Sequence, residues 1–140
     1  MKVVIDTNVL VSALRGRGSS SFVVDACIGG ELIPVLSDAL FFEYRDVFAR
    51  SGLFRMSSLS DRERDIVFKA FLSVCERTDV YFRWRSNLRD EADNHILELA
   101  VAGNARMIVT FNTRDFARQE IRFPDIGVAK PHELRRSFLS

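Results

Sequence analysis

Four acidic residues, distant from one another along the chain, lie next to the predicted ends of β-strands. Asp6 directly follows one apolar run and Asp115 lies just past another. Asp93 and Glu43 lie in helices that follow predicted strands. Carboxylates that converge at close range repel one another unless a cation lies between them, and oxygen-only ligands favour Mg²⁺ or Mn²⁺ over zinc. The four residues therefore indicate a divalent-metal site, provided that the fold brings them together.

Each of these acids also has a purely structural interpretation. Asp6, Asp93 and Asp115 are each placed to cap a helix, because an Asp side chain accepts hydrogen bonds from the N–H groups of the first helical turn. Glu43 is compatible with a solvated position two turns into its helix. A carboxylate at the end of a buried strand must be paired, hydrogen-bonded or metal-bound, which makes Asp6 the strongest candidate. Taken one at a time, the acids leave both interpretations open.

Few other residues are candidates for chemistry. Cys27 and Cys75 have no second Cys or His at the spacing of zinc ligands, which excludes a zinc finger. His95 and His132 are the only histidines. We expect His95, in the helix after Asp93, to be a surface residue rather than a base. Metal-assisted hydrolysis needs no Ser or Cys nucleophile, because the ion activates water.

Strands alternate with helices along the chain, which predicts an α/β fold with a parallel sheet covered on both faces. The predicted strands are 3–5, 32–36, 80–82, 107–110 and 126–129. The predicted helices are 8–14, 22–28, 37–48, 60–76, 93–102 and a short last helix from Pro131. In an open parallel sheet, ligands bind beyond the carboxyl ends of the strands. The acids at those ends are therefore the ones expected to meet.

The size and composition of the chain fit one globular domain over residues 1–140. The chain has 140 residues, of which 47% are hydrophobic and 28% charged. This is ordinary globular usage and excludes a disordered chain. The formal net charge of +1 excludes strong global attraction to polyanions. Any nucleic-acid contact must therefore come from a local patch.

The N-terminal apolar segment does not have the pattern of a signal peptide. Asp6 and Asn8 interrupt it, and it lacks a cleavage site. No stretch reaches the roughly 18 apolar residues that a membrane-spanning helix needs. We therefore expect a cytoplasmic protein with no membrane partner.

Four segments of the chain together resemble the PIN-domain family, in collinear order and over nearly the whole chain. They are VVIDTNVLVSAL at 3–14, SDALFFEYRDVF at 37–48, RDEADNHILELAVAGNARMIVTFNTRDF at 89–116 and VAKPHEL at 128–134. The strongest resemblance is to the VapC-like ribonuclease branch, the toxins of toxin–antitoxin pairs. The DTN element after the first strand and the late TxNxxDF element are fairly specific as a set, whereas neither is specific alone.

The resemblance implies a PIN-like three-layer α/β/α sandwich with a central, mostly parallel five-stranded sheet. It also implies an endoribonuclease that cleaves single-stranded RNA with the help of one or two Mg²⁺ or Mn²⁺ ions. The partners that it implies are an RNA substrate, a small antitoxin protein and a second copy of the chain in a homodimer. The first, second and third acids of the family fall on Asp6, Glu43 and Asp93.

The fourth acidic position departs from the family pattern. It normally lies two residues after the Thr of the fourth strand, where this chain has Asn112, and Asp115 follows three residues later. Three outcomes stay open: Asn112 supplies a neutral oxygen, Asp115 supplies charge through a water, or the site holds one ion weakly. Asn8, Thr110 and Asp90 match further polar or acidic positions of the family, which support the ligands rather than bind the ion.

Three arginines near the predicted site are candidates for contacts with substrate phosphates. Arg15 and Arg17 lie in a Gly-containing loop soon after Asp6, and Arg114 lies within the fourth-acid element. The planar guanidinium suits bidentate phosphate binding.

Two other functions compete with a nuclease. A doubly wound phosphatase also begins with a strand that ends in Asp, but its chemistry needs a second Asp two residues later as a general acid, and Asn8 occupies that position. A non-catalytic binding module on the same scaffold is disfavoured because Asp6, Glu43 and Asp93 are all retained. Asn112, which stands in place of an acid, keeps this second alternative open.

Overall fold

The computed structural model describes residues 1–16, 18–80, 91–116 and 123–139, without the side chains of residues 51, 91–94, 138 and 139. The strands are β1 (Lys2–Ile5), β2 (Ile33–Leu36), β3 (Glu76–Arg77), β4 (Met107–Val109) and β5 (Gly127–Ala129). The α-helices are α1 (Thr7–Leu14), α2 (Gly18–Ile28), α3 (Asp38–Phe48), α4 (Asp61–Val74), α5 (Glu91–Ala102) and α6 (Pro131–Leu139). Short 3₁₀ helices span Ser51–Phe54 and Thr113–Phe116.

The five strands form one parallel sheet in the order β3-β2-β1-β4-β5. Val3 of β1 is in register with Pro34 on one side and Met107 on the other. Three consecutive residues of β1, Val3 to Ile5, are all fully buried. A strand buried on both faces must be apolar at every position, which is what its continuous apolar run predicts.

The helices cover the sheet and one another, giving the predicted α/β/α sandwich. Helix α5 packs on β1, β2 and β4, while α1 contacts α2 and α3, and α2 contacts α4 and α6. The described helices include none that combines the length and the apolar character required to cross a bilayer.

Local capping explains why α3 and α4 begin where they do. The Ser37 hydroxyl accepts a hydrogen bond from the Leu40 N–H (3.2 Å) at the start of α3. At the start of α4, Ser60 and Glu63 form a capping box, in which each side chain accepts from the other residue's N–H. Helix α2 instead begins at Gly18, earlier than the predicted Phe22.

The third strand lies earlier in the chain than the sequence predicts. The prediction was 80–82, of which 81–82 lie outside the described residues, whereas β3 is Glu76–Arg77 and pairs with Val35 and Leu36. Helix α4 accordingly ends at Val74 rather than near Glu76. Both residues of β3 are exposed and polar, so this edge strand carries none of the apolar signal by which strands are recognised.

Helix α3 is fixed to the central strand by one buried side chain. The Tyr44 hydroxyl donates a hydrogen bond to the Ile5 carbonyl oxygen, and the Tyr44 ring meets Phe71 edge-on at 5.9 Å between centroids. Both rings are buried. Because Glu43 precedes Tyr44, this contact also places Glu43 beside the carboxyl end of β1.

Candidate metal centre

Asp6 lies at the carboxyl end of β1 and is the N-cap of α1, as its structural interpretation predicts. Its Oδ1 accepts the Thr7 N–H at 2.8 Å, and its Oδ2 accepts the Thr110 hydroxyl at 2.7 Å. The residue is only 7% exposed. Burial raises the pKa of the Asp6 carboxyl, and the negative charge of Glu43 adds to this effect; the Thr110 and Thr7 hydrogen bonds oppose it without cancelling it.

Glu43 reaches the same edge from the second turn of α3. Its Oε1 accepts a hydrogen bond from the Thr7 hydroxyl, and its Oε2 lies 2.8 Å from His95 Nε2. Glu43 is therefore not a freely solvated helix residue. Partial burial raises the pKa of Glu43, but the hydrogen bonds from His95 and Thr7 outweigh burial and hold that pKa below its ordinary value.

Thr7 joins the two carboxylates and is a residue that the sequence interpretation missed. Its backbone N–H donates to Asp6 and its hydroxyl donates to Glu43. The signal available in the sequence was its position between Asp6 and Asn8, in the first turn of α1. Because one residue bonds both acids, their relative position is fixed by the start of that helix.

His95 is part of this cluster, and the expectation of a surface histidine is wrong. Its side chain is 23% exposed and contacts Glu43. Within the described residues, its buried Nδ1 has no hydrogen-bond partner. The signal that would have indicated His95 is its place two residues after Asp93 in the same helix.

Asp93 lies in the first turn of α5, two residues before His95. The backbone of α5 therefore brings Asp93 to the same edge of the sheet as Glu43, but its side chain lies outside the described residues. Asp90 and Arg17 lie outside them altogether. Among the side chains that are described, no group of three His, Cys, Asp or Glu is placed to hold a metal ion.

The polar residues predicted to support the site lie around Asp6 wherever the structure describes them, which leaves out Asp90. Thr110 is fully buried, and its hydroxyl accepts the Asn112 N–H at 3.0 Å while donating to Asp6. Asn8 Oδ1 accepts a long hydrogen bond of 3.4 Å from the Phe111 N–H. The chain that follows β4 is therefore tied to the start of α1.

A cleft of about 600 Å³ opens in front of the two acids. Asp6 and Glu43 line it together with Asn112, and its wall continues to Arg15 and Arg50. Of the arginines predicted from the sequence, Arg15 is thus placed in the cleft; Arg50 was missed.

Asp115 and Arg114 are not among the described residues that line this cleft. Both are exposed in the 3₁₀ helix Thr113–Phe116. Of the two candidates for the fourth position, only Asn112 borders the cleft that contains Asp6.

The donor chemistry of the cluster suits a hard divalent cation. Both described acids offer carboxylate oxygens, and each carboxylate is already oriented by hydrogen bonds. Within the described chain, neither forms an ion pair with Lys or Arg. Neighbouring carboxylates without a Lys or Arg partner are the arrangement that a bound cation relieves.

Comparison with known proteins agrees with this architecture. No curated protein matches the sequence significantly. A chain in the crystal structure of VapBC2 from Rickettsia felis, bound to a DNA fragment from its promoter, matches with a TM-score of 0.61 and 19% identity. The match covers 93% of this chain and 98% of that one; at this identity it demonstrates a shared fold. The sequence model of the PIN domain matches residues 2–114. The chain therefore belongs to the PIN-domain family.

Proposed function

We propose that this PIN-domain protein is a metal-dependent endoribonuclease that cleaves single-stranded RNA. The observation that carries the proposal is the convergence of Asp6 and Glu43, from distant parts of the chain, on the two hydrogen-bond donors of Thr7. Family membership adds support, because PIN domains are generally nucleases that use divalent metals.

Asp6, Glu43 and Asp93 would hold Mg²⁺ or Mn²⁺, with Asn112 as a neutral oxygen donor. When bound, the ion supplies orientation of the scissile phosphate, compensation of developing charge and a lowered pKa for the attacking water. No Ser or Cys nucleophile is required. These residues would hold one or two ions.

The task of the surrounding side chains is to orient the carboxylates before the ion arrives. Thr110 and the Thr7 N–H bond the two oxygens of Asp6, while the Thr7 hydroxyl and His95 bond those of Glu43. Carboxylates oriented in this way need no rearrangement when the ion binds. Residues that orient metal ligands typically contribute about 10–100-fold in metal affinity or activity.

We further propose that the protein is a cytoplasmic toxin, active as a homodimer and held inactive by a small antitoxin. The similarity to a chain of VapBC2 supports this assignment. A small upstream gene that encodes a DNA-binding protein is expected next to the gene for this chain. A genomic neighbourhood without such a gene would count against the toxin assignment.

A non-catalytic binding module remains the second candidate. One observation favours it: Asn112 stands where the family pattern has an acid. Such a module would bind RNA without cleaving it, so one assay separates the two functions.

The first test is cleavage of end-labelled single-stranded RNA with and without millimolar Mn²⁺. We expect cleavage that requires the metal and stops on addition of EDTA. Asp46→Asn is a matched control because Asp46 is an exposed acid on the same helix as Glu43, and its rate should equal that of the wild type. RNA that stays intact under all conditions would favour the binding module.

Asn112→Ala and Asp115→Ala should differ in their effects on cleavage. Asn112 lines the cleft beside Asp6, so we expect loss of its side-chain oxygen to lower kcat/KM by about tenfold; its backbone N–H, which bonds the Thr110 hydroxyl, is kept in the variant. Asp115 is exposed outside the cleft lining, and its loss should change the rate less than about twofold. A larger loss for Asp115→Ala would assign the fourth position to Asp115 instead.

A further inference from the structure

One exposed aromatic side chain stands in the wall of the cleft. Phe111 directly follows Thr110, is 42% exposed and lines the same cleft as Asp6 and Glu43. An isolated exposed Phe is ordinary on a protein surface. Phe111 differs because its two neighbours in the sequence are tied into the cluster around Asp6.

The backbone on both sides of Phe111 is held by hydrogen bonds. The Thr110 N–H donates to the Ala129 carbonyl at 3.0 Å, and the Asn112 N–H donates to the Thr110 hydroxyl at 3.0 Å. The Phe111 N–H donates to Asn8. The backbone that carries the ring is therefore already ordered, which lowers the conformational cost of binding.

The far end of the cleft is basic. Helix α1 lines the cleft from Asp6 to Arg15, and a rise of 1.5 Å per residue separates the backbones of these two residues by about 13 Å. Arg15 Nε donates to the Leu53 carbonyl at 2.7 Å. This bond uses one of the five N–H donors of the guanidinium and steadies the others, and Arg50 lies in the same wall.

We propose that Phe111 stacks on a base of single-stranded RNA next to the scissile phosphate, which an ion bound by Asp6 and Glu43 would orient, and that the RNA backbone continues along α1 to Arg15 and Arg50. The position of that phosphate rests on the proposed nuclease function. An aromatic face together with a basic track is the usual combination for binding single strands, and stacking tolerates any base. Duplex RNA cannot present a base in this way because its bases are paired and stacked.

The first test measures binding in EDTA, where metal-dependent cleavage is off. Fluorescence anisotropy of a labelled, short single-stranded RNA should give a Kd about tenfold higher for Phe111→Ala than for the wild type, and Phe111→Trp should restore it. Phe42→Ala is the matched control, because Phe42 is 50% exposed but is not among the residues that line the cleft. An equal Kd for the two Ala variants would overturn the proposal.

The second test uses cleavage in Mn²⁺ of RNAs that each lack one base. Removal of the base next to the cleaved bond should lower the cleavage rate of the wild type about tenfold. It should leave the rate of Phe111→Ala unchanged, because that variant has already lost the stacking contact that the base makes. An equal slowing in both proteins would contradict stacking. If RNA binding depends on Phe111 but no cleavage occurs, the nuclease function is refuted and the stacking site stands. If cleavage occurs and does not depend on Phe111, the stacking site is refuted and the nuclease function stands.

Discussion

Replacement of Asp6 by Asn is expected to raise the melting temperature of the metal-free protein at pH 7 and to abolish Mn²⁺-dependent cleavage. Burial, reinforced by the charge of Glu43, raises the pKa of the Asp6 carboxyl, so the ionised form destabilises the fold. An amide carries no charge and keeps one oxygen that accepts the Thr7 N–H. Its NH₂ group takes the place of Oδ2 and can donate to the Thr110 hydroxyl oxygen, which reverses that hydrogen bond. Each kcal/mol gained should raise Tm by about 4 °C in a domain of this size.

The pH dependence of this gain follows from the direction of the shift. A group whose folded pKa is raised contributes stability below its unfolded pKa, and this contribution is lost as the pH rises through the folded pKa. The Tm of Asp6→Asn should therefore approach that of the wild type below pH 3.8, the ordinary value for Asp, and exceed it increasingly as the pH rises towards 7.

Calorimetry in EDTA across this pH range measures the effect. Asp115→Asn serves as the control, because it makes the same chemical change at an exposed position, and its Tm should match the wild type at every pH. A Tm for Asp6→Asn at or below the wild-type value at pH 7 would show that the buried charge is already compensated within the protein.

The cleavage rate of Asp6→Asn should fall by at least about 100-fold. Loss of a residue that only orients a metal ligand already costs about 10–100-fold, and Asp6 is proposed to be a ligand itself. A site that is destabilising when empty and indispensable for activity is a recognised trade-off between stability and function. Full activity in Asp6→Asn would remove this residue from the mechanism.

Glu43→Gln should lose cleavage to a similar degree but should change stability in the opposite direction. Hydrogen bonds from His95 and Thr7 hold the pKa of Glu43 below its ordinary value, against the effect of burial. A lowered folded pKa gives stability that is present above the unfolded pKa and is lost as the pH falls through the folded pKa. The variant should therefore melt at a lower temperature than the wild type at pH 7.

The decrease in Tm should be small, because the Glu43 side chain is 37% exposed and solvent screens its charge. Asp46→Asn on the same helix should leave both Tm and cleavage unchanged. If Glu43→Gln instead melted higher, the bonds to His95 and Thr7 would not stabilise the carboxylate, and the account of how Glu43 is oriented would be wrong.

Features with a strong local signal were predictable from the sequence. The continuous apolar run before Asp6 identified the central strand, because burial on both faces leaves no polar position. The capping Ser37 fixed the start of α3 and thereby the turn on which Glu43 lies. Two candidate ligands were thus located without knowledge of any contact between helices.

The features that the sequence missed depend on contacts between elements. Thr7 and His95 become recognisable only when α1 and α5 meet Glu43. The edge strand at Glu76–Arg77 forms because it pairs with β2, and it carries no apolar pattern of its own. From the sequence, Asp115 could supply the acid that is missing at Asn112. In the structure, Asp115 is exposed in the 3₁₀ helix and is not among the residues that line the cleft.

Direct measurement of Mn²⁺ binding tests the central claim, which is that Asp6 and Glu43 hold a divalent ion together. Electron paramagnetic resonance detects free Mn²⁺ during a titration of the wild type, Asp6→Asn, Glu43→Gln and Asp46→Asn. We expect saturable binding by the wild type and by Asp46→Asn, with affinity at least about tenfold weaker in the other two variants. Equal binding by all four proteins, or none by the wild type, would contradict this claim.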